Sequence, residues 1–144
     1  ADKAALAQVN QNKYTYENME TKGCTAVVLM LLSNLFVCAN AGDSRCVIAE
    51  QGRAVPLSFD HKPSLKKERE RIYKAGSTVN VEGRIDGNLN LSRAIGDIAH
   101  KKNTRIKLEE QAITSLPDIK IHEISGKTDF AVLACDGIWE TKTS

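Results

Sequence analysis

Apolar and polar positions change rhythm several times along this chain, and each change predicts an element. From Thr25 to Leu57 the sequence is a series of short runs rich in β-branched and apolar residues: Thr25–Leu32, Leu35–Ala41, Arg45–Glu50 and Arg53–Leu57. Only Ser33-Asn34, Gly42-Asp43-Ser44 and Gln51-Gly52 separate them. Links that short cannot carry the crossover a parallel pair needs, so the runs predict an antiparallel meander.

A helix is predicted next. Pro63-Ser64 supplies a breaker and a candidate N-cap, Leu65 and Ile72 share one face, and Gly76 is placed to end it. Lys66-Lys67-Glu68-Arg69-Glu70-Arg71 alternates in sign and reads as a solvated helix face. Val79–Ile85 and Asn88–Ser92 flank Asp86-Gly87, a hairpin signal because both turn residues tolerate positive φ. Lys101–Leu116 is polar and longer than a simple connection requires. Ile119–Ile124 alternates like a strand, and the wholly apolar Phe130–Cys135 suits a strand buried on both faces. Ala1–Gln11 reads as the tail of a helix and Tyr14–Lys22 as a loop. Many antiparallel strands with few helices predict α+β layers.

Length and composition narrow the class. One domain fits in 144 residues, and 42% apolar with 26% charged residues is the balance of a soluble globular protein. A net charge of +2, interleaved with acids, argues against nucleic acid or an anionic membrane as partner. No apolar run approaches the ~20 residues needed to cross a bilayer, and no secretory leader heads the chain. The sequence begins at Ala1 without methionine, which is expected of a processed, trimmed or incomplete chain. Cys24, Cys38, Cys46 and Cys135 lack C-x-x-C spacing and sit in apolar runs, so they read as reduced core thiols of an intracellular protein.

Candidate chemistry centres on aspartates. Asp136 ends the apolar run Phe130–Cys135 beside Gly137, where a rigid strand can present a ligand; the alternative is a helix cap or turn. Asp43 lies in the Gly42-Asp43-Ser44 turn, whose default reading is an aspartate bonding its own backbone. Asp86-x-Asn88-x-Asn90 with Asp97 mimics a calcium loop, but Leu91 stands where such a loop needs glycine. Asp60-His61 has no nucleophile nearby and reads as a hydrogen-bonded turn. Trp139 reads as a cover for the core edge beside Asp136.

Five segments, in order, resemble a known family. They are Gly23-Cys24-Thr25-Ala26, Ala39-Asn40-Ala41-Gly42-Asp43-Ser44-Arg45, Asp60-His61-Lys62-Pro63 with Glu68-x-x-Arg71-Ile72 and Ala75-Gly76, Leu91-Ser92-Arg93-Ala94-Ile95-Gly96-Asp97, and Leu133-Ala134-Cys135-Asp136-Gly137-Ile138-Trp139. Together they resemble the metal-dependent Ser/Thr phosphatases of the protein phosphatase 2C family. The resemblance implies a four-layer α-β-β-α sandwich of two antiparallel sheets, incomplete in this chain. It implies hydrolysis of phosphoserine and phosphothreonine on phosphoprotein substrates, in the cytoplasm or nucleus, by water activated on two or more Mn²⁺ or Mg²⁺ ions. Aspartate oxygens suit such hard cations. The resemblance also implies roles for residues. Asp136 matches a ligand of the core metal pair, and Asp43 an aspartate of a third, weaker metal position. Glu140 falls where many members carry Asp near that third metal, on a longer arm. Asp97 and Arg93 match positions assigned to cleft architecture, and Lys101–Leu116 falls at the substrate-side flap.

The departures are equally specific. The family's phosphate-binding arginine and its Asp-Gly-His-Gly-Gly segment precede the position of Gly23 and are absent from residues 1–22. A late Asp-Asn motif would lie beyond Ser144. One core metal ligand of the expected set is present, so the chain alone is expected to be inactive although its parent protein is an enzyme. The alternatives are a non-enzymatic phosphatase-like module that binds a partner and, more remotely, an unrelated divalent-ion-binding β domain.

Overall fold

A computed structural model describes residues 21–143. The helix expected over Ala1–Gln11 and nearly all of the expected Tyr14–Lys22 loop lie outside the described residues. Eight strands and two short α-helices follow. They are β1 (Gly23–Cys24), β2 (Ala26–Leu32), β3 (Leu35–Ala41), β4 (Arg45–Glu50), β5 (Arg53–Pro56), α1 (Lys66–Lys74), β6 (Ile95–Gly96), β7 (Asp118–Glu123), β8 (Thr128–Ala134) and α2 (Asp136–Trp139). Every ladder is antiparallel. One three-stranded sheet has the order β2-β3-β7, another β5-β4-β8, and β1 pairs with β6.

The meander is therefore cut in the middle. β2 pairs with β3 and β4 with β5 as expected, but β3 and β4 belong to different sheets. The Gly42-Asp43-Ser44 link crosses between them instead of closing a hairpin. The reason is burial: Cys38 on β3 and Cys46 and Ile48 on β4 all enter one core cluster, with Leu57, Val27, Leu29, Phe36, Val55 and Ala131 around it. Facing these positions across two sheets buries apolar area that one flat sheet would leave in water.

A second core lies under α1, where Ile72, Ile85, Ala94 and Ile113 are fully buried. Ile113 comes from the polar segment Lys101–Leu116, so this is not a free loop. Gln111 Nε2 donates to the carbonyls of Asn103 and Ile106, closing it on itself, and residues 111–114 are buried.

Several local expectations change. α1 ends as predicted: Gly76 adopts φ +94°, with Gly76 N–H donating to Tyr73 O and Ser77 N–H to Ile72 O, a Schellman closure. It starts later than predicted, with Leu65 at the cap and no side-chain capping bond, because Pro63-Ser64 forms a turn of its own. Asp86-Gly87 makes the expected positive-φ turn, but its arms form isolated bridges and no ladder. A second turn interrupts the first arm, where Asn80 Oδ1 accepts the N–H groups of Glu82 and Arg84. β8 is covered on one face only among the described residues, leaving Phe130 exposed while Ala131 meets the core. All four cysteines are free thiols, but only Cys38 and Cys46 are buried.

The largest correction concerns the charged face of α1. Glu68 is 2% exposed. Glu68 precedes Ile72 by four residues on one helical face, so a residue read as solvated points inward with Ile72, while Leu65 at the cap stays exposed. Its carboxylate receives Arg71, Arg93 and Ser92. Burial works to raise the Glu68 pKa, but the bonds from Arg93, Ser92 and Arg71 outweigh it and hold the carboxyl at about 2.

Candidate metal centre

The centre is built at one end of the β4–β8 ladder. Arg45 faces Ala134 in that ladder. Asp43 precedes Arg45 by two residues and Asp136 follows Ala134 by two, so the two aspartates leave the same end of the same strand pair. Sequence reading had placed both at strand ends; the register joins them.

Each is held differently. Asp43 is buried, 4% exposed, in the link between sheets. Gly42 before it adopts φ +126°, and a Cβ there would overlap the Thr25 side chain. Glycine is required at that crossing. Asp43 Oδ2 accepts a charged hydrogen bond from Lys62 Nζ at 2.5 Å. Asp136 is half-buried as the first residue of α2. Glu140 caps the other end of that helix, its N–H donating to Asp136 O at 2.8 Å, and its side chain is exposed.

Asp60, His61 and Lys62 run past this end of the ladder and make three successive anchors. Asp60 takes the Arg45 guanidinium through both carboxylate oxygens, at 2.9 and 3.1 Å. His61 is 4% exposed, and its Nδ1 lies 3.1 Å from Gly42 N. Its Nε2 lies 3.2 Å from Asp118 Oδ2. The carboxylate can only accept, so Nε2 presents a hydrogen to it, while Nδ1 lies 3.1 Å from both the nitrogen and the oxygen of Gly42. The His61 N–H also donates to Gly42 O at 2.9 Å. Lys62 then reaches Asp43. Asp118 is held in turn by Arg93 Nη1 at 2.8 Å, and Arg93 is buried against Glu68. Burial pushes the Asp118 carboxyl upward, yet the bonds from His61 and Arg93 keep it below its ordinary value.

Asp97, matched by sequence to cleft architecture, sits apart from this cluster. Its backbone is left-handed at φ 49° and its carboxyl rests directly on Gly23, where no side chain would fit. Burial raises its pKa against the pull of His100 and Lys101. The Asp86 side chain accepts from Thr78 N–H and Oγ1, so the calcium-loop mimic is a turn.

The donors at the β4–β8 end are of the right kind for a hard divalent cation, and the Lys62 ammonium shows that the buried Asp43 carboxylate accepts a positive charge. They are too few to close a coordination shell. Among the described residues no group of three or more His, Cys, Asp or Glu side chains could hold an ion. These residues fit as a portion of a metal centre.

Comparison with known proteins agrees with this geometry. The family model for protein phosphatase 2C matches residues 1–144. The chain belongs to the protein phosphatase 2C family. It is 53% identical over 124 residues to "Probable protein phosphatase 2C 11" of Oryza sativa subsp. japonica, covering 86% of this chain and 34% of that relative. It is 53% identical over 125 residues to "Protein phosphatase 2C homolog 3" of Schizosaccharomyces pombe, covering 87% of this chain and 30% of the relative. Among solved structures, a phosphatase from Toxoplasma gondii superposes with a TM-score of 0.68 at 39% identity, covering 74% of this chain and 32% of that one. The chain thus spans about a third of the length of these two curated relatives, 34% and 30%. It is a partial protein phosphatase 2C domain.

Four members of this cluster escaped sequence reasoning: Lys62, Arg45, Asp118 and Glu68. Lys62 and Arg45 lie inside quoted motifs, but their partners lie 15 or more residues away and no periodicity links them. For Glu68 a signal existed, its four-residue spacing from Ile72.

Proposed function

We propose that the whole protein to which this chain belongs hydrolyses phosphoserine and phosphothreonine esters on proteins with the help of Mn²⁺ or Mg²⁺. Family membership supports the reaction class. The observation that carries the reading for this chain is the convergence of Asp43 and Asp136 at one end of the β4–β8 ladder. Asp136 would hold an ion of the core pair; Asp43 and Glu140 would stand toward a further one. Bound there, divalent ions supply an activated water and offset the phosphoryl charge. The chain's own task is to fix the carboxylates beforehand. Lys62 holds Asp43 in place, His61 fixes the turn that carries it, and the buried Glu68–Arg93 pair backs His61 through Asp118. In the same reading, the sheets packed on one core are the inner layers of the α-β-β-α sandwich. The remaining two thirds of the relatives' length is where further ligands and covering helices are sought.

The test is turnover of a phosphoserine peptide by the whole protein, with Mn²⁺ and after chelation. Turnover that needs the ion supports the reading. Equal turnover after complete metal removal overturns the metal assignment, and none under any metal favours a phosphatase-like binding module.

A further inference from the structure

Arg45 stands where the two halves of the site meet. Alternation along β4 sends Cys46 and Ile48 into the core, so Arg45 projects from the opposite face, toward α2. Its guanidinium carbon lies 5.3 Å from the centroid of the Trp139 ring. Asp60 holds the same guanidinium by two parallel bonds at 2.9 and 3.1 Å. Trp139 is itself tied down, its Nε1–H donating to Ala134 O at 2.8 Å, and Ala134 is the residue facing Arg45 in the ladder. The fork, the ring and the strand end are thus joined around the first turn of α2.

Resting on the phosphatase reading above, we infer that Arg45 is a positioning residue. Held by Asp60 over the Trp139 ring, it sets where α2 presents Asp136 and Glu140. Trp139 lies between these two acidic residues in sequence, so the docking of its ring fixes the rotation of a helix only four residues long. Such a helix has too few internal bonds to hold itself, and tertiary contacts must decide its orientation. Arginine suits the task because its planar fork meets a carboxylate through two bonds while its face meets an aromatic ring; lysine offers one point charge. The Asp60 carboxylate also offsets the guanidinium charge, so the clamp adds no net positive charge beside ligands meant for cations.

The experiment uses the whole protein, with Mn²⁺ alone as the binding probe and free ion counted by electron paramagnetic resonance. Arg45→Lys is expected to weaken Mn²⁺ binding by about 10-fold, the scale of partners that orient metal ligands. At saturating Mn²⁺, kcat for a phosphoserine peptide should return to within about twofold of the unaltered protein, since the ligands themselves remain. In protein labelled with 5-fluorotryptophan, the resonance missing from Trp139→Phe should shift or broaden in Arg45→Lys, and Arg69→Lys on the exposed side of α1 should change nothing. Mn²⁺ binding in Arg45→Lys as tight as in the unaltered protein would overturn the inference, even if its melting temperature falls. Should Arg45→Lys not fold, Asp60→Asn, which keeps one acceptor but removes the charge, decides by the same criterion. An unaltered protein that binds no Mn²⁺ removes the phosphatase reading and this inference with it, a failure already visible without any variant.

Discussion

Glu68 and Arg93 form an ion pair at 2.6 Å with both side chains 3% exposed, joining α1 to the segment before β6. Burial alone would keep the Glu68 carboxyl protonated; its partners hold it at about 2, below the ordinary 4.5. Because the folded value is depressed, the contribution to stability is present above about pH 4.5 and is lost as pH falls toward 2. Its size is on the order of 3 kcal/mol. Urea unfolding of the whole protein against pH should show this acid loss. Glu68→Gln should reduce the acid dependence by the Glu68 share and cost about 3–5 kcal/mol at neutral pH, because Arg93 loses its buried charge partner. An acid limb of unchanged slope in the variant would contradict it.

Asp136 is expected to act through metal and not through folding. Asp136→Asn in the whole protein should lower phosphopeptide turnover by at least about 100-fold, since losing a ligand exceeds the 10–100-fold cost of losing its outer partners. The melting temperature measured without metal should hold. Undiminished turnover would contradict the ligand assignment.

Gly42 tests the crossing between sheets. Gly42→Ala places a side chain at φ +126° and against Thr25, so a loss of about 1–3 kcal/mol or more is expected. Shrinking Thr25 to Ala in the same protein should recover only part of it, because the backbone strain remains. Chemical denaturation of the single and double variants separates the two contributions.

Cys46 sits in the core with its pKa pushed up to about 12, by burial first and by Cys38 beside it. Cys38 is raised by burial as well. Thiolate is the reactive form, so neither should alkylate in the native protein at pH 8, and both should do so in denaturant. Mass spectrometry of iodoacetamide-treated protein reads this residue by residue; native labelling of Cys46 would contradict its place in the shared core.

Residues 1–144 by themselves are expected to show no Mn²⁺-dependent phosphatase turnover, since the described residues contain no set of three ligands. Measured turnover by this chain alone would refute that.

What the sequence determined by itself was the local pattern and the family. Alternation and two-residue turns located β2 to β5 nearly to the residue, the Gly76 stop and the Asp86-Gly87 turn followed from backbone freedom, and five ordered motifs supplied the resemblance. These are properties of neighbours along the chain, where sterics and side-chain period act directly. Tertiary structure alone decided the rest. It split the expected meander between sheets at Gly42, because Cys38, Cys46 and Ile48 bury together only if β3 and β4 face each other. It turned Glu68 inward because distant Arg93 and Ser92 compensate its burial. It also brought Asp43 to the same strand end as Asp136, 93 positions along the chain, through a β4–β8 register that no local signal encodes. Long-range pairing depends on the summed burial of both partners, a quantity that neither segment carries alone.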